Sequence, residues 1–215
     1  MTLDSLIRVD KRVRLNYTCG VLGLRRVWSN HEVEEPLSWI LAILALIFAF
    51  EGLSVLRLTS LTTPTIIGVI IGFVAHELAH RSVARRYGMI AHFVAFIPGL
   101  ILTFISGFLP IKIIAPGYVR ISAIYGFPNP RGVLYSVAAG PLTNIVIVLG
   151  VLVLKDLTGH GMFLEPIAFV NSWIAFFNLL PIPPLDGSKI LMLNRTMWLI
   201  LFIISAILLI LTSYL

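Results

Sequence analysis

The chain has 215 residues, of which 58% are hydrophobic and only 12% charged, with a formal net charge of +6. A water-soluble domain of this size cannot hide that much apolar surface, so composition points to an integral membrane protein. The basic residues flank apolar runs and form no separate basic domain, which excludes a nucleic-acid partner. The single cysteine, Cys19, excludes an internal disulfide.

Residues 1–35 carry mixed charge and short apolar runs, which predicts a cytoplasmic surface segment without a signal-peptide layout. Residues 36–215 form the membrane domain. Its first predicted span runs from Pro36 to about Leu56. Glu51 lies near the far end, and two placements are open to it: reaching out to the surface or pairing inside the bundle. The second span runs from about Thr63 to Arg85, long enough to cross about 30 Å of hydrocarbon.

Residues 92–117 are apolar but interrupted by Pro98, Gly99, Gly107, Pro110, Pro116 and Gly117. A re-entrant hairpin or membrane-edge strands shielded by protein fits them, because open backbone cannot face lipid. Residues 118–132 read as a strand and turn broken at Pro128-Asn129-Pro130. Three further spans are predicted, from about Val133 to Leu154, Phe163 to Leu180 and Thr196 to Leu215. The fold class is thus a mostly α, polytopic helix bundle of about five transmembrane helices with a membrane-associated re-entrant or β region.

The positive-inside rule supports a cytoplasmic N-terminus, since only Arg57 and Lys155 of the 16 Lys and Arg residues then fall outside. Trp39, Trp173 and Trp198 read as belt or packing residues, and His31, His92 and His160 as loop or interface residues.

The second span contains His76-Glu77-Leu78-Ala79-His80. Two histidines four residues apart share one helix face and can grip a single Zn²⁺, with the glutamate between them acting on a metal-bound water. Ionisable side chains are costly at membrane depth, which favours a working site there. The plainer reading is two surface histidines and a Glu77 paired with Arg81. Under the inward topology, Asp186 at the end of the fourth predicted span lies at a similar depth and on the cytoplasmic side. Two imidazoles and one carboxylate leave the fourth position open, as in catalytic zinc sites. Gly140-Pro141 inside a span predicts close helix approach and a local break.

Three segments resemble the site-2 protease family of intramembrane zinc metallopeptidases: His76-Glu77-Leu78-Ala79-His80, Ala139-Gly140-Pro141-Leu142-Thr143-Asn144, and Asn178-Leu179-Leu180-Pro181-Ile182-Pro183-Pro184-Leu185-Asp186-Gly187. Their order and separation match over about residues 63–190, which would be the catalytic core. The resemblance implies one zinc ion bound by His76, His80 and Asp186, with Glu77 as catalytic acid/base. It also implies Asn178 on the substrate backbone, Asn144 near the substrate cleft, and a membrane-protein substrate with a transmembrane segment. Ser188 stands where many members have a second glycine, and the chain has no room for the PDZ or CBS domain of many relatives. The competing readings are a catalytically inactive membrane zinc-binding scaffold or binding protein and a metal transporter, the last disfavoured because a single tight site without a chain of acidic or histidine residues across the bilayer suits conduction poorly. Substrate identity and oligomeric state are not readable from the residues.

Overall fold

The computed structural model describes residues 34–56, 63–123 and 129–215. The predicted N-terminal segment falls almost wholly outside them, as does His31.

Helix α1 spans Glu35–Glu51, with Pro36 in its first turn, and continues as a 3₁₀ turn, Gly52–Leu56. Gly52 leaves the α-helix at φ 57°, a left-handed conformation that glycine adopts without strain. Glu51 pairs inside the protein: its carboxylate accepts from Ser54 and Thr63 hydroxyls, each at 2.8 Å.

Helix α2 is Pro64–Arg86, 23 residues. Thr63 caps its start by accepting from the Ile66 amide, and Arg85 and Arg86 sit in its last turn, where positive charge complements the helix dipole.

Strand β1 (Met89–Ala95) leads into helix α3 (Ile97–Ile105) and a 3₁₀ turn, Ser106–Phe108. The chain returns through strand β2 (Gly117–Ala123), which pairs antiparallel with β1 from Met89↔Ala123 to Ala95↔Gly117. The predicted excursion over residues 92–117 therefore holds the second half of β1 and a short helix, and β2 falls where a strand was expected from residue 118. Its irregular backbone is satisfied by protein groups: Phe96 N–H donates to Pro116 O, Ala115 N–H to Thr103 Oγ1, and Trp173 Nε1 to Lys112 O.

Helix α4 is Pro130–Thr158, 29 residues, capped by Asn129 and ended by Gly159 at φ 70°. The helix continues through Gly140-Pro141 and does not end at the expected break. Proline removes only its own N–H bond, and packing on α2 and α5 holds the rest of the helix in place.

Helix α5 (Gly161–Asn178) is followed by an irregular loop, then a short helix α6 (Asp186–Leu193) that the span pattern did not anticipate, and α7 (Arg195–Ser213), capped by Asn194. Among the described residues, four helical stretches are long and apolar enough to cross a membrane: Glu35–Val55, Pro64–Arg86, Pro130–Thr158 and Arg195–Ser213. The fourth expected span, now α5, carries Glu165, Asn171 and Asn178 and is not among them. It packs on α2, α4 and α7, so its polar groups face protein.

One buried apolar cluster joins α4, α5 and α7 around Val148, Ala168 and Leu208, and another joins α1, α2, β1 and α5 around Leu46, Phe73, Phe93 and Ile174. Large apolar side chains such as Leu44, Val146 and Ile207 are more than half exposed. That outward apolar surface suits a lipid environment. The chain is a polytopic integral membrane helix bundle.

Candidate metal centre

Helix α2 carries His76, Glu77 and His80, all of them buried. Asp186 arrives from the first turn of α6 and is 8% exposed. Its Oδ2 lies 3.4 Å from His76 Nε2 and 3.0 Å from His80 Nε2. One candidate ligand atom from each of the three lies within 4.8 Å of the others. Tetrahedral zinc, with bonds of about 2.0–2.1 Å, separates its ligand atoms by about 3.3–3.4 Å, so the donors are spaced for such an ion.

The loop before α6 sets Asp186 in place. Trp198 Nε1 donates to Leu179 O at the end of α5, and Leu185 N–H donates to Ile182 O. Gly187 lies against the Leu179 backbone so closely that a Cβ there would overlap it. A glycine after the aspartate is thus required by close approach. Ser188, one residue further on, donates to Leu185 O at 2.7 Å and tightens the same turn. Lys189 Nζ lies 3.0 Å from Asp186 Oδ1, leaving Oδ2 to face the histidines.

Each imidazole is held from behind. His80 Nδ1 is 2.7 Å from Ser136 O, a backbone carbonyl that can only accept, so Nδ1 donates and Nε2 is the nitrogen left to face the metal side. Ser136 Oγ in turn donates to His80 O. His76 Nδ1 is 2.6 Å from Asn144 Oδ1. Asn144, expected to lie at the substrate cleft, is fully buried. Its amide donates to Gly72 O at 3.1 Å and Asn171 Oδ1 at 3.0 Å, so its carboxamide is engaged inside the protein.

Gly140 shows why α4 needs its small residue. A Cβ there would sit 2.6 Å from His76 Nε2 and closer still to His80 Nε2. The glycine keeps open the space that both Nε2 atoms face. Glu77 borders this group, and its Oε2 is buried with no hydrogen-bond partner among the described residues. A buried acceptor of that kind is costly unless a proton-bearing ligand meets it. Three convergent donors, an open cradle and an orphaned carboxylate oxygen fit a metal ion with a fourth, exchangeable position.

Asn178 closes α5 and donates to Ile174 O at 3.0 Å, a helix-end bond, and it is not part of the donor cluster. His92 lies in β1 opposite Arg120, and His160 precedes α5. Sequence reading missed Ser136, Asn171 and Lys189. The available signals were an asparagine inside an apolar segment and the Gly68-x-x-x-Gly72 spacing on α2, which foretells a close helix neighbour.

Comparison with known proteins accords with this geometry. The sequence profile of Peptidase family M50 matches residues 155–201, which include Asn178 and Asp186. A protein of Methanocaldococcus jannaschii named as a candidate zinc metalloprotease is 38% identical over 176 residues, covering 80% of this chain and 88% of its own. The chain belongs to peptidase family M50. A second relative so named, from Bacillus subtilis, is 33% identical over 164 residues, covering 61% of this chain and 69% of its own. A zinc metalloprotease of M. jannaschii is 27% identical over 164 residues, covering 74% of this chain but 41% of that protein. No solved structure matches. Membership of family M50 agrees with the resemblance to site-2 proteases carried by the three motifs.

Proposed function

We propose that this protein is a zinc-dependent endopeptidase that cuts peptide bonds within or beside transmembrane segments of other membrane proteins. The observation that carries the reading is the convergence of His76, His80 and Asp186, buried among apolar spans, beside the unpartnered Glu77 oxygen. Membership of family M50 and the names of the relatives support it.

His76 Nε2, His80 Nε2 and Asp186 Oδ2 would hold the ion. When bound, zinc supplies Lewis-acid polarisation and lowers the pKa of a water to about 7. Glu77 is one residue from His76 and takes the proton of the attacking water at its carboxylate. The new C–O bond forms at the peptide carbonyl as that proton passes to the departing amine nitrogen and the C–N bond breaks. Lys189 holds the Asp186 carboxylate by its other oxygen.

A helical substrate hides its carbonyls in internal hydrogen bonds, so it must be unwound before attack. Strand β2, which pairs with no strand other than β1 among the described residues, offers an edge on which an extended segment can pair its backbone groups. The distribution of Lys and Arg supports a cytoplasmic N-terminus with the site toward the cytoplasmic side. The Glu77 Oε2 left without a partner among the described residues argues against an inactive scaffold, which would be expected to close its fourth position with a protein ligand.

The test is cleavage of a model transmembrane peptide by the purified chain in detergent. Activity abolished by a chelator and restored by stoichiometric zinc is the expected result. Hydrolysis unaffected by complete zinc removal, or no hydrolysis of any transmembrane peptide by the zinc-loaded chain, would overturn the proposal.

A further inference from the structure

The partner of His76 is itself held by a second asparagine. Asn171, on α5, is fully buried. Its Nδ2 donates to Ile167 O at 2.8 Å and Gly68 O at 3.3 Å. Its Oδ1 accepts from Asn144 Nδ2. The two backbone carbonyls can only accept, which obliges Asn171 to turn its NH₂ toward them and its oxygen toward Asn144. Asn144 must then present NH₂ to Asn171 and to Gly72 O, another obligate acceptor. What remains for His76 is the Asn144 oxygen, so Nδ1 must carry the hydrogen, which leaves Nε2 as the nitrogen that faces Asp186 and the metal side.

We propose that Asn171 is a positioning residue: it fixes the orientation of the Asn144 carboxamide and thereby the tautomer of His76 that can bind a metal. Asn171 touches neither imidazole nor Asp186 and acts through Asn144 alone. The close packing of α2 on α5 is what makes the relay possible. A Cβ on Gly68 would meet Ile167 Cα at 3.0 Å, and one on Gly72 would meet Asn171 Oδ1 at 2.6 Å. Without glycines there, neither carbonyl of α2 comes within reach. The inference rests on the metal reading of the site for its consequence, but the hydrogen it assigns to Nδ1 does not require a metal.

The experiment uses the full chain in detergent, zinc-free, with ¹⁵N-labelled histidine and the His76 signals assigned by difference with His76→Gln. The expected result is the Nδ1–H form of His76 in the wild type. Asn171→Leu should mix in the Nε2–H form and weaken zinc binding, measured by competition with a chromophoric chelator, by about tenfold or more. Asn144→Leu should weaken it at least as much, and adding Asn171→Leu to Asn144→Leu should change nothing further. A wild-type His76 in the Nε2–H form would overturn the relay, and this measurement stands even where a variant misfolds. So would an Asn171→Leu chain with unchanged tautomer and zinc affinity, or an effect that adds in full to that of Asn144→Leu. A wild-type chain with His76 in the Nδ1–H form that binds no zinc would instead sink the metal reading and leave the relay standing.

Discussion

Arg81 points its guanidinium at Glu35, with 2.6 Å between Nη1 and Oε1, and not at Glu77. The same Glu35 oxygen accepts from the Phe93 amide at 3.4 Å, so the first turn of α1 gathers the end of α2 and the strand β1. This arrangement removes the plainest alternative for the His-Glu-x-x-His segment, in which Glu77 merely neutralises the arginine after His80. Glu77 keeps its carboxylate for the site.

If Glu77 moves the proton and does not hold the ion, Glu77→Gln should retain zinc at the wild-type ratio. Cleavage of a model transmembrane peptide should fall by about 10²–10⁴-fold, the range of general acid–base contributions. Zinc content and turnover measured on one preparation decide the matter, and unchanged turnover would remove Glu77 from the mechanism.

Asp186 is the only carboxylate among the three donors, and it comes from a different helix. Asp186→Ala should therefore lower zinc retention after dialysis, with activity recovering in part at high added zinc. A variant that keeps its zinc through dialysis would point to another third ligand.

Helix propensity and site geometry make opposite predictions for Gly140→Ala. Alanine in a helix interior is favoured over glycine by about 1 kcal/mol. Here the added methyl enters the space faced by both Nε2 atoms. The expected outcome is a chain that folds at least as far as wild type by circular dichroism yet binds zinc much more weakly. Full zinc occupancy would show that the cradle lies elsewhere.

The Glu35–Arg81 pair is partly buried, at 31% and 26% side-chain exposure. Glu35→Ala leaves the Arg81 charge and the Phe93 amide without their acceptor, at a cost of about 1–3 kcal/mol. Unfolding in mixed micelles should register this loss of stability, whereas zinc content should not change. A loss of zinc parallel to that of a ligand variant would mean that Glu35 belongs to the site.

The motif positions were legible because their signals are local. Histidines four apart must share a helix face, a long apolar run must be buried in lipid or protein, and a proline-rich stop before Asp186 must end a helix. The ordered residues of the three motifs even carried the family. Over Met89 to Ala123 the strand near residue 118 was legible, but the helix Ile97–Ile105 was not, since whether interrupted backbone pairs as strands or coils as helix depends on which partners reach it. Thr103, Pro116 and Trp173 supply those partners from other positions. The break expected at Pro141 failed for a similar reason, because neighbouring helices hold both sides of the proline.

The sequence by itself determined that this chain enters a membrane and which residue types are available to hold a metal, because hydropathy and helical period depend on the chain alone. Only the tertiary structure decided that Asp186 meets both imidazoles, that Arg81 is occupied by Glu35, and that Asn144 and Asn171 stand behind His76. Those relations depend on how closely separate helices approach. That distance is set by glycines at 68, 72, 140 and 187, whose effect appears only once the opposing backbone is in place.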